Sequence, residues 1–416
     1  MRKTLSTVLA STLLLTGVLT GCSSNNNTED TASGEQVTIN VWAMGEEAKS
    51  LPTLAEDFMK ENPDIKVNVQ ALPWDTAHDK LLTAVASKKG PDVVQMGTTW
   101  IPEFASANAL MDLSSYVDEY PEINQDNFYP GSVETGTYED KYVGVPWYID
   151  TRVLYYRTDL LAEVGYPEAP KTWDELADAA QKLAARGEGK YGISLDPKEQ
   201  SLGFMFARQN GSELFDENNK PLFNQPEFVE AVEYMNSFFE NGSNATDIGV
   251  DAIQGLAGDG IVPMFISGPW MVKMINEQAP ELAGKWATAV LPAKDNNVST
   301  LGGSNLSVFQ YTKQPDAAMK FVSYMSKPET QLKWMELTTS MPSTQKAWED
   351  EALQNDANYK VIGEQLKTAQ PMPIMTQFEE IAQNFLTSFE KIYRGTTDVQ
   401  TEMDAFNKKA EQILSK

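Results

Sequence analysis

Apolar and polar positions alternate twice early in the chain, at Val37, Ile39 and Val41 and again at Ile65, Val67 and Val69. Period-two alternation places one face of an extended strand on a core. Between these runs Leu51, Leu54, Ala55, Phe58 and Met59 recur at helical spacing, and Asn62-Pro63 stops that helix. Leu81, Leu82, Val85 and Ala86 mark a second helix that stops near Gly90-Pro91. Asp92 to Met96 is a third short strand. Strand, helix, strand, helix, strand with short connections predicts right-handed crossovers and a parallel sheet.

The next stretch, Gly144 to Arg157, is apolar, β-branched or aromatic at most positions and reads as a buried strand. It also carries Asp150, Arg152 and Arg157, charges that burial penalises unless they are paired or bound. Before it lies one complete run of strands and helices; after it a second run begins. The stretch is therefore expected to be a crossover between two lobes, with Tyr148, Asp150 and Arg152 facing the cleft.

In the second run, Thr172 followed by Glu175 predicts a capping box opening a helix toward Arg186. Strands are expected at Tyr191 to Leu195, Ile261 to Ile266 and Trp286 to Leu291, and a helical face at Phe228, Ala231, Val232, Met235 and Phe239. From Pro315 onward the pattern is almost wholly helical, with breaks near Pro328, Met341-Pro342 and Pro371-Met372-Pro373. Trp173, Trp334 and Trp348 fit core positions.

The chain has 416 residues, too many for one ordinary domain, and a formal net charge of -26. That charge excludes a nucleic-acid binder, which needs clustered Lys and Arg. A single histidine, His78, and a single cysteine, Cys22, exclude a multi-histidine metal site and an intrachain disulfide. No metal or cofactor is expected. At the start, Arg2 and Lys3 precede an uncharged apolar run from Leu5 to Leu19, which is short for a bilayer span and reads as a secretory signal. Leu19-Thr20-Gly21-Cys22 resembles the lipobox of bacterial lipoproteins. That resemblance implies cleavage after residue 21 and lipid on Cys22, which would anchor the protein to the outer face of the cell membrane. Residues 22–36 are polar, too poor in apolar groups to fold, and suit a flexible tether.

Ligands of open α/β sheets sit beyond the carboxyl ends of the strands. Three loops there each hold a tryptophan: Trp42 with Glu46, Trp74, and Trp100 with Thr99. A fourth, Trp270, follows the strand ending at Ser267-Gly268-Pro269. Flat apolar faces beside polar groups suit the mixed surface of a sugar ring. Asp196, at the end of the 191–195 strand, is either a ligand residue or a turn former before Pro197. Gly302-Gly303 permits close backbone approach or positive φ, and Asn305 can hydrogen-bond a hydroxyl. A glycosidase would need two carboxylates flanking a glycosidic bond, and a binding protein for amino acids, polyamines or peptides would need, for a cationic ligand, an aromatic cage with unpaired carboxylates. Both remain alternatives to sugar capture.

The ordered set Ile39-Asn40-Val41-Trp42, Glu61 to Val67, Gly90 to Val94, Gly144 to Leu161, Lys171 to Leu176, Gly268-Pro269-Trp270, Leu291-Pro292 and Gly302 to Asn305 resembles the family 1 extracellular solute-binding proteins, the maltose/maltodextrin-binding group. The resemblance implies two α/β lobes, each a mostly parallel sheet flanked by helices, joined by crossovers near residues 148, 292 and 340. Residues 37–147 and 292–339 would form the first lobe and 148–291 and 340–416 the second. Family binding positions match Glu46, Thr99, Trp100, Asp150 and Trp270. A late aromatic position of the family falls at Gln377 or Phe378. The implied function is capture of a sugar or short oligosaccharide by a monomer that delivers it to an ABC permease. No GxxxxGK[ST] loop occurs, so the ATPase is a separate chain.

Overall fold

In the computed structural model, which describes residues 36–45 and 47–415, the first three strands form as the alternation predicts. Val37–Met44 pairs in parallel with Ile65–Leu72 on one side and Val93–Gly97 on the other. The helix Leu51–Glu61 buries Leu51, Leu54, Ala55 and Phe58, the stripe that spacings of three and four create. The second helix is longer than its apolar stripe suggests, running from Trp74 to Ser87.

The sheet becomes mixed beyond these strands. Its order is Met341–Pro342, Val145–Thr151, Thr300–Val308, Val93–Gly97, Val37–Met44, Ile65–Leu72, and Gln370–Pro371 also pairs with Thr300–Val308. Thr300–Val308 runs antiparallel to both Val93–Gly97 and Val145–Thr151. It re-enters from the end where Val145–Thr151 leaves, so it must run the other way.

The expected crossover strand is two strands. Val145–Thr151 belongs to the large sheet and Val153–Arg157 to a second, three-stranded sheet, so the chain changes sheets at Arg152 rather than near residue 148. In the second sheet Val153–Arg157 lies between Met264–Ser267 and Trp286–Ala289, antiparallel to both. The expectation of a mostly parallel second sheet is corrected there. Among the described residues the parallel component is limited to single bridges, Thr172 with Ala293, Ile193 with Asn244 and Ser194 with Phe265. The segment around Ile193 still gives its N–H groups to neighbours on both sides, Ser243 and Met264, without a regular ladder.

Two crossing segments are tied side by side. The Ser299 hydroxyl accepts from the Arg152 N–H at 3.0 Å and from the Thr151 hydroxyl at 2.9 Å, and donates to the Arg152 carbonyl at 2.8 Å. Ser299 is fully buried.

Separate hydrophobic clusters fill the two lobes. Around the large sheet, Phe58, Trp147, Phe321 and Trp334 pack together, with Trp147 stacked on Trp334. Around the second, Trp173, Phe204, Phe228 and Phe385 join residues of the last two helices, Phe378–Tyr393 and Val399–Leu414. Trp173, Trp334 and Trp348 are core residues as expected. The Thr172 hydroxyl caps its helix by accepting from the Glu175 N–H, but the Glu175 carboxylate accepts from Lys171 N–H at 2.6 Å instead of closing the box on Thr172. Arg157 finds its partners within the protein: a two-pronged ion pair with Asp159 and the carbonyls of Leu256 and Gly258.

Candidate functional site

Where the chain changes sheets, the carboxyl end of Val145–Thr151 opens onto a cavity of about 350 Å³. Tyr148 and Asp150 line it from that strand, Gly303 from the neighbouring strand, and Trp74 from the start of the second helix. Pro269 and Trp270 contribute from the second lobe, and Thr338 to Met341 from the end of the helix Pro328–Thr338.

The glycine pair behaves as its sequence suggests. Gly303 has φ +122°, and a Cβ there would fall 2.2 Å from the Tyr148 carbonyl oxygen. A Cβ on Gly302 would fall 2.6 Å from an Asp150 carboxylate oxygen. Two bare backbone positions therefore let the adjacent strand approach Tyr148 and Asp150. Buried Gln95 donates to the Tyr148 hydroxyl and to Ser304 Oγ, both at 3.0 Å, and its carbonyl accepts from Met44 N–H. That network fixes the tyrosine hydroxyl.

Arg152 is the electrostatic centre. Its Nη1 donates to Asp150 Oδ1 at 3.0 Å and its Nη2 to Glu199 Oε2 at 2.9 Å. All three side chains are largely buried. The fork joins a carboxylate of the large sheet to one from the second lobe. The guanidinium also lies 5.1 Å from the Trp270 ring centre, within cation–π range. Burial raises the Asp150 carboxyl above its ordinary value; the Arg152 charge opposes that shift and the Glu199 charge adds to it. Glu199 is lowered. Burial works against its charge, but Arg152 and hydrogen bonds from Ser201 outweigh it.

Trp270 owes its placement to Gly268. A Cβ on Gly268 would fall 2.0 Å from the indole, so the ring folds over a position that only glycine leaves open. The Tyr155 hydroxyl, donating to the Gly268 carbonyl at 2.7 Å, holds that turn. On its other side Trp270 also lines a second cavity of about 550 Å³, with Arg152, Asp196, Glu199 and residues 245–252.

Tyr148, Asp150, Trp270, Gly303 and Trp74 thus meet at one cavity, and Arg152 and Asp196 at the adjoining one. Asp196 is also a turn former, accepting from Lys198 N–H at 2.9 Å. Trp100 stands behind Trp74 in an edge-to-face pair, ring centres 5.4 Å apart, with Thr99 in the same short turn. Trp42 packs away from the cavity lining, under Lys80 at 4.8 Å. Two expectations are corrected. Asn305 is buried and its amide donates to the Thr135 carbonyl and hydroxyl, so it serves the core. Phe378 is buried against Phe204 because it begins the apolar stripe of its helix. Glu46 and Cys22 lie outside the described residues.

Sequence reasoning missed Glu199 and the segment Thr338 to Met341. The Asp196-Pro197 turn pointed to the right loop, and the carboxylate three residues on was the available signal. For Thr338 to Ser340 the available signal was the helix break expected near Met341-Pro342, with the implied crossover near residue 340; these residues reach the cavity where that helix ends.

The model of the bacterial extracellular solute-binding proteins matches residues 44–332. The chain is similar in structure to the sugar-binding protein MalE from the phytopathogen Xanthomonas citri, at 32% identity and TM-score 0.86, covering 91% of this chain and 98% of that one. It is also similar to an ABC transporter solute-binding protein from Thermotoga lettingae TMO bound with α-D-tagatose, at 26% identity and TM-score 0.79, covering 91% of this chain and 100% of that one. Among curated relatives, the arabinooligosaccharide-binding protein of Halalkalibacterium halodurans is 25% identical over 323 residues, 74% of this chain and 71% of that protein. A family match over residues 44–332, on a two-lobed frame, makes this protein a member of the bacterial extracellular solute-binding family.

Proposed function

We propose that the protein captures a neutral sugar or short oligosaccharide between its lobes and delivers it to an ABC-type permease, without chemical change to the ligand. The observation that carries this reading is the Trp270 face at the change of sheets, beside Asp150 and Tyr148. An aromatic platform with hydroxyl acceptors at its edge matches the C–H face and hydroxyl rim of a pyranose. The sugars named for its relatives support the same class.

The Arg152 guanidinium beneath Trp270 weighs against a cationic ligand, because the indole already has a cation within reach. It also weighs against glycoside hydrolysis by Asp150 and Glu199, since both carboxylates are engaged on one arginine instead of flanking a bond to be cleaved. Closure of the lobes would exclude water and strengthen the polar contacts. In this reading lipid on Cys22 holds the protein at the outer face of the cell membrane.

The test is a thermal-shift screen of residues 36–416 against mono- and oligosaccharides, with amino acids and polyamines as controls. A ligand at a hundred times its Kd adds about 2.7 kcal/mol of stability. A shift with sugars that is lost in Trp270→Ala supports the proposal. A shift with amino acids or polyamines alone overturns the ligand class, and cleavage products from an incubated oligosaccharide overturn the binding-only role.

A further inference from the structure

The helix Pro328–Thr338 ends at the cavity in an unusual way. Its capping residue, Thr339, is left-handed, with φ +68° and ψ 7°, and its N–H closes the last turn on the Met335 carbonyl. Glycine or asparagine ordinarily takes that position, because a Cβ in left-handed backbone crowds the following carbonyl. A β-branched residue there is a true outlier. Strain of this kind persists where the surrounding structure holds it, and it concentrates at ligand sites.

The strained turn carries three hydroxyl residues, and Thr338, Thr339 and Ser340 all line the cavity together with Trp270 and Asp150. The Thr338 hydroxyl hydrogen is committed within the protein: its Oγ1 donates to the Trp334 carbonyl at 2.7 Å. Thr339 Oγ1 lies beside the Thr338 carbonyl. Thr338 Oγ1 also accepts from the Ser340 N–H at 3.2 Å. Each oxygen keeps acceptor capacity, since a hydroxyl has one hydrogen and two lone pairs. Asp150 likewise accepts, from Arg152. Thr338 and Asp150 are therefore acceptors at this edge.

We propose that Thr338 and Thr339 form a hydroxyl-accepting edge that restricts the ligand to a neutral sugar with free hydroxyl groups at that edge. Thr339 is kept in its strained conformation by this task. A ligand that brings an ether there leaves acceptors facing acceptors, and one that brings a carboxylate adds repulsion from Asp150. A buried acceptor left without a donor loses the hydrogen bonds it had to water. The inference rests on the sugar reading above and goes beyond it by naming the discriminating residues and the classes they reject, O-methyl sugars and uronic acids.

The experiment measures binding by calorimetry with maltose, cellobiose, lactose and arabinobiose, then takes the tightest binder forward with its mono-O-methyl ethers and its uronic acid form. The wild-type protein should bind at least one methyl ether, and the uronic acid, more than fivefold more weakly than the parent sugar. Thr339→Gly should fold with an unfolding temperature equal to or above wild type, because the strain is gone, yet bind the parent sugar at least fivefold more weakly. Thr339→Asn tolerates the left-handed backbone and keeps a side-chain oxygen, so it should restore affinity to within about twofold of wild type. The methyl-ether discrimination should shrink in Thr339→Gly. Opposite movement of stability and affinity is what a merely structural cap cannot produce. A glycine variant that binds and discriminates as wild type does overturns the assignment while leaving sugar capture intact. A wild-type protein that binds none of the four sugars and none of the mono- and oligosaccharides of the wider screen overturns the sugar reading and this inference with it.

Discussion

The guanidinium of Arg152 lies 5.1 Å from the centre of the Trp270 ring. Arg152 stands where the chain changes sheets, and Trp270 opens the helix Trp270–Gln278 on the far wall. One arginine thus supports the aromatic platform and, through its fork, spans the carboxylates of Asp150 and Glu199.

Removing that cation leaves two neighbouring carboxylates largely buried with no counter-charge. Arg152→Met is expected to cost about 3 kcal/mol of folding stability. Arg152→Lys should lose less, because charge remains but the two-pronged geometry does not. Urea unfolding midpoints decide it; a Met variant as stable as wild type would show that the ion-pair chain adds nothing.

Gly268→Ala places a methyl where the Trp270 ring now lies. The ring must swing away while the surrounding core is untouched. Sugar affinity should fall at least tenfold with a small change in unfolding temperature, read by titrating tryptophan fluorescence. Unchanged affinity would mean that Trp270 is not the platform.

Gly303→Ala acts on the fold. The new Cβ meets the Tyr148 carbonyl in a backbone conformation that suits glycine. Strain and overpacking together should cost about 3 kcal/mol. Calorimetric unfolding is the check, and a loss below about 1 kcal/mol would show that the strands can part without penalty.

Asp150 and Glu199 give opposite pH dependences. With its folded pKa raised, chiefly by burial, Asp150 holds a proton in the folded state at pH values where the unfolded chain has released it, so acidification through that window favours folding. Glu199, lowered on balance against its burial, contributes stability above its unfolded value that is lost as pH falls through its folded one. Wild type carries both. Asp150→Asn removes the first, so its stability should fall more steeply than that of wild type as pH drops from neutral toward about 4. Parallel curves for the two proteins would refute the assignment to Asp150.

Much of the frame was legible because burial leaves a periodic trace. Leu51, Leu54, Ala55 and Phe58 mark a helix, and Val37, Ile39 and Val41 a strand, by spacing alone. Strand direction in the second lobe left no such trace, since apolar runs such as Met264–Ser267 read alike in parallel and antiparallel sheets. At the site, Trp270, Asp150 and Tyr148 were visible as aromatic or charged residues at strand ends. Asn305 and Phe378 misled for different reasons: a polar side chain beside a glycine pair has the right chemistry, and Phe378 came from a late aromatic position that the family resemblance implied; only packing shows that Asn305 turns to Thr135 and Phe378 to Phe204. Thr339 was invisible, because its significance lies in a backbone angle.

The Ser299 hydroxyl bonds to both Thr151 and Arg152. Two of the threads that join the sheets are therefore fastened to each other and behave as one flat strap. A strap flexes readily across its width but resists being wrung about its length, because wringing would break bonds buried away from water. In the closure proposed above, turning one crossing segment against the other would break these buried bonds, so the Ser299 hydroxyl favours a movement that carries the two segments together.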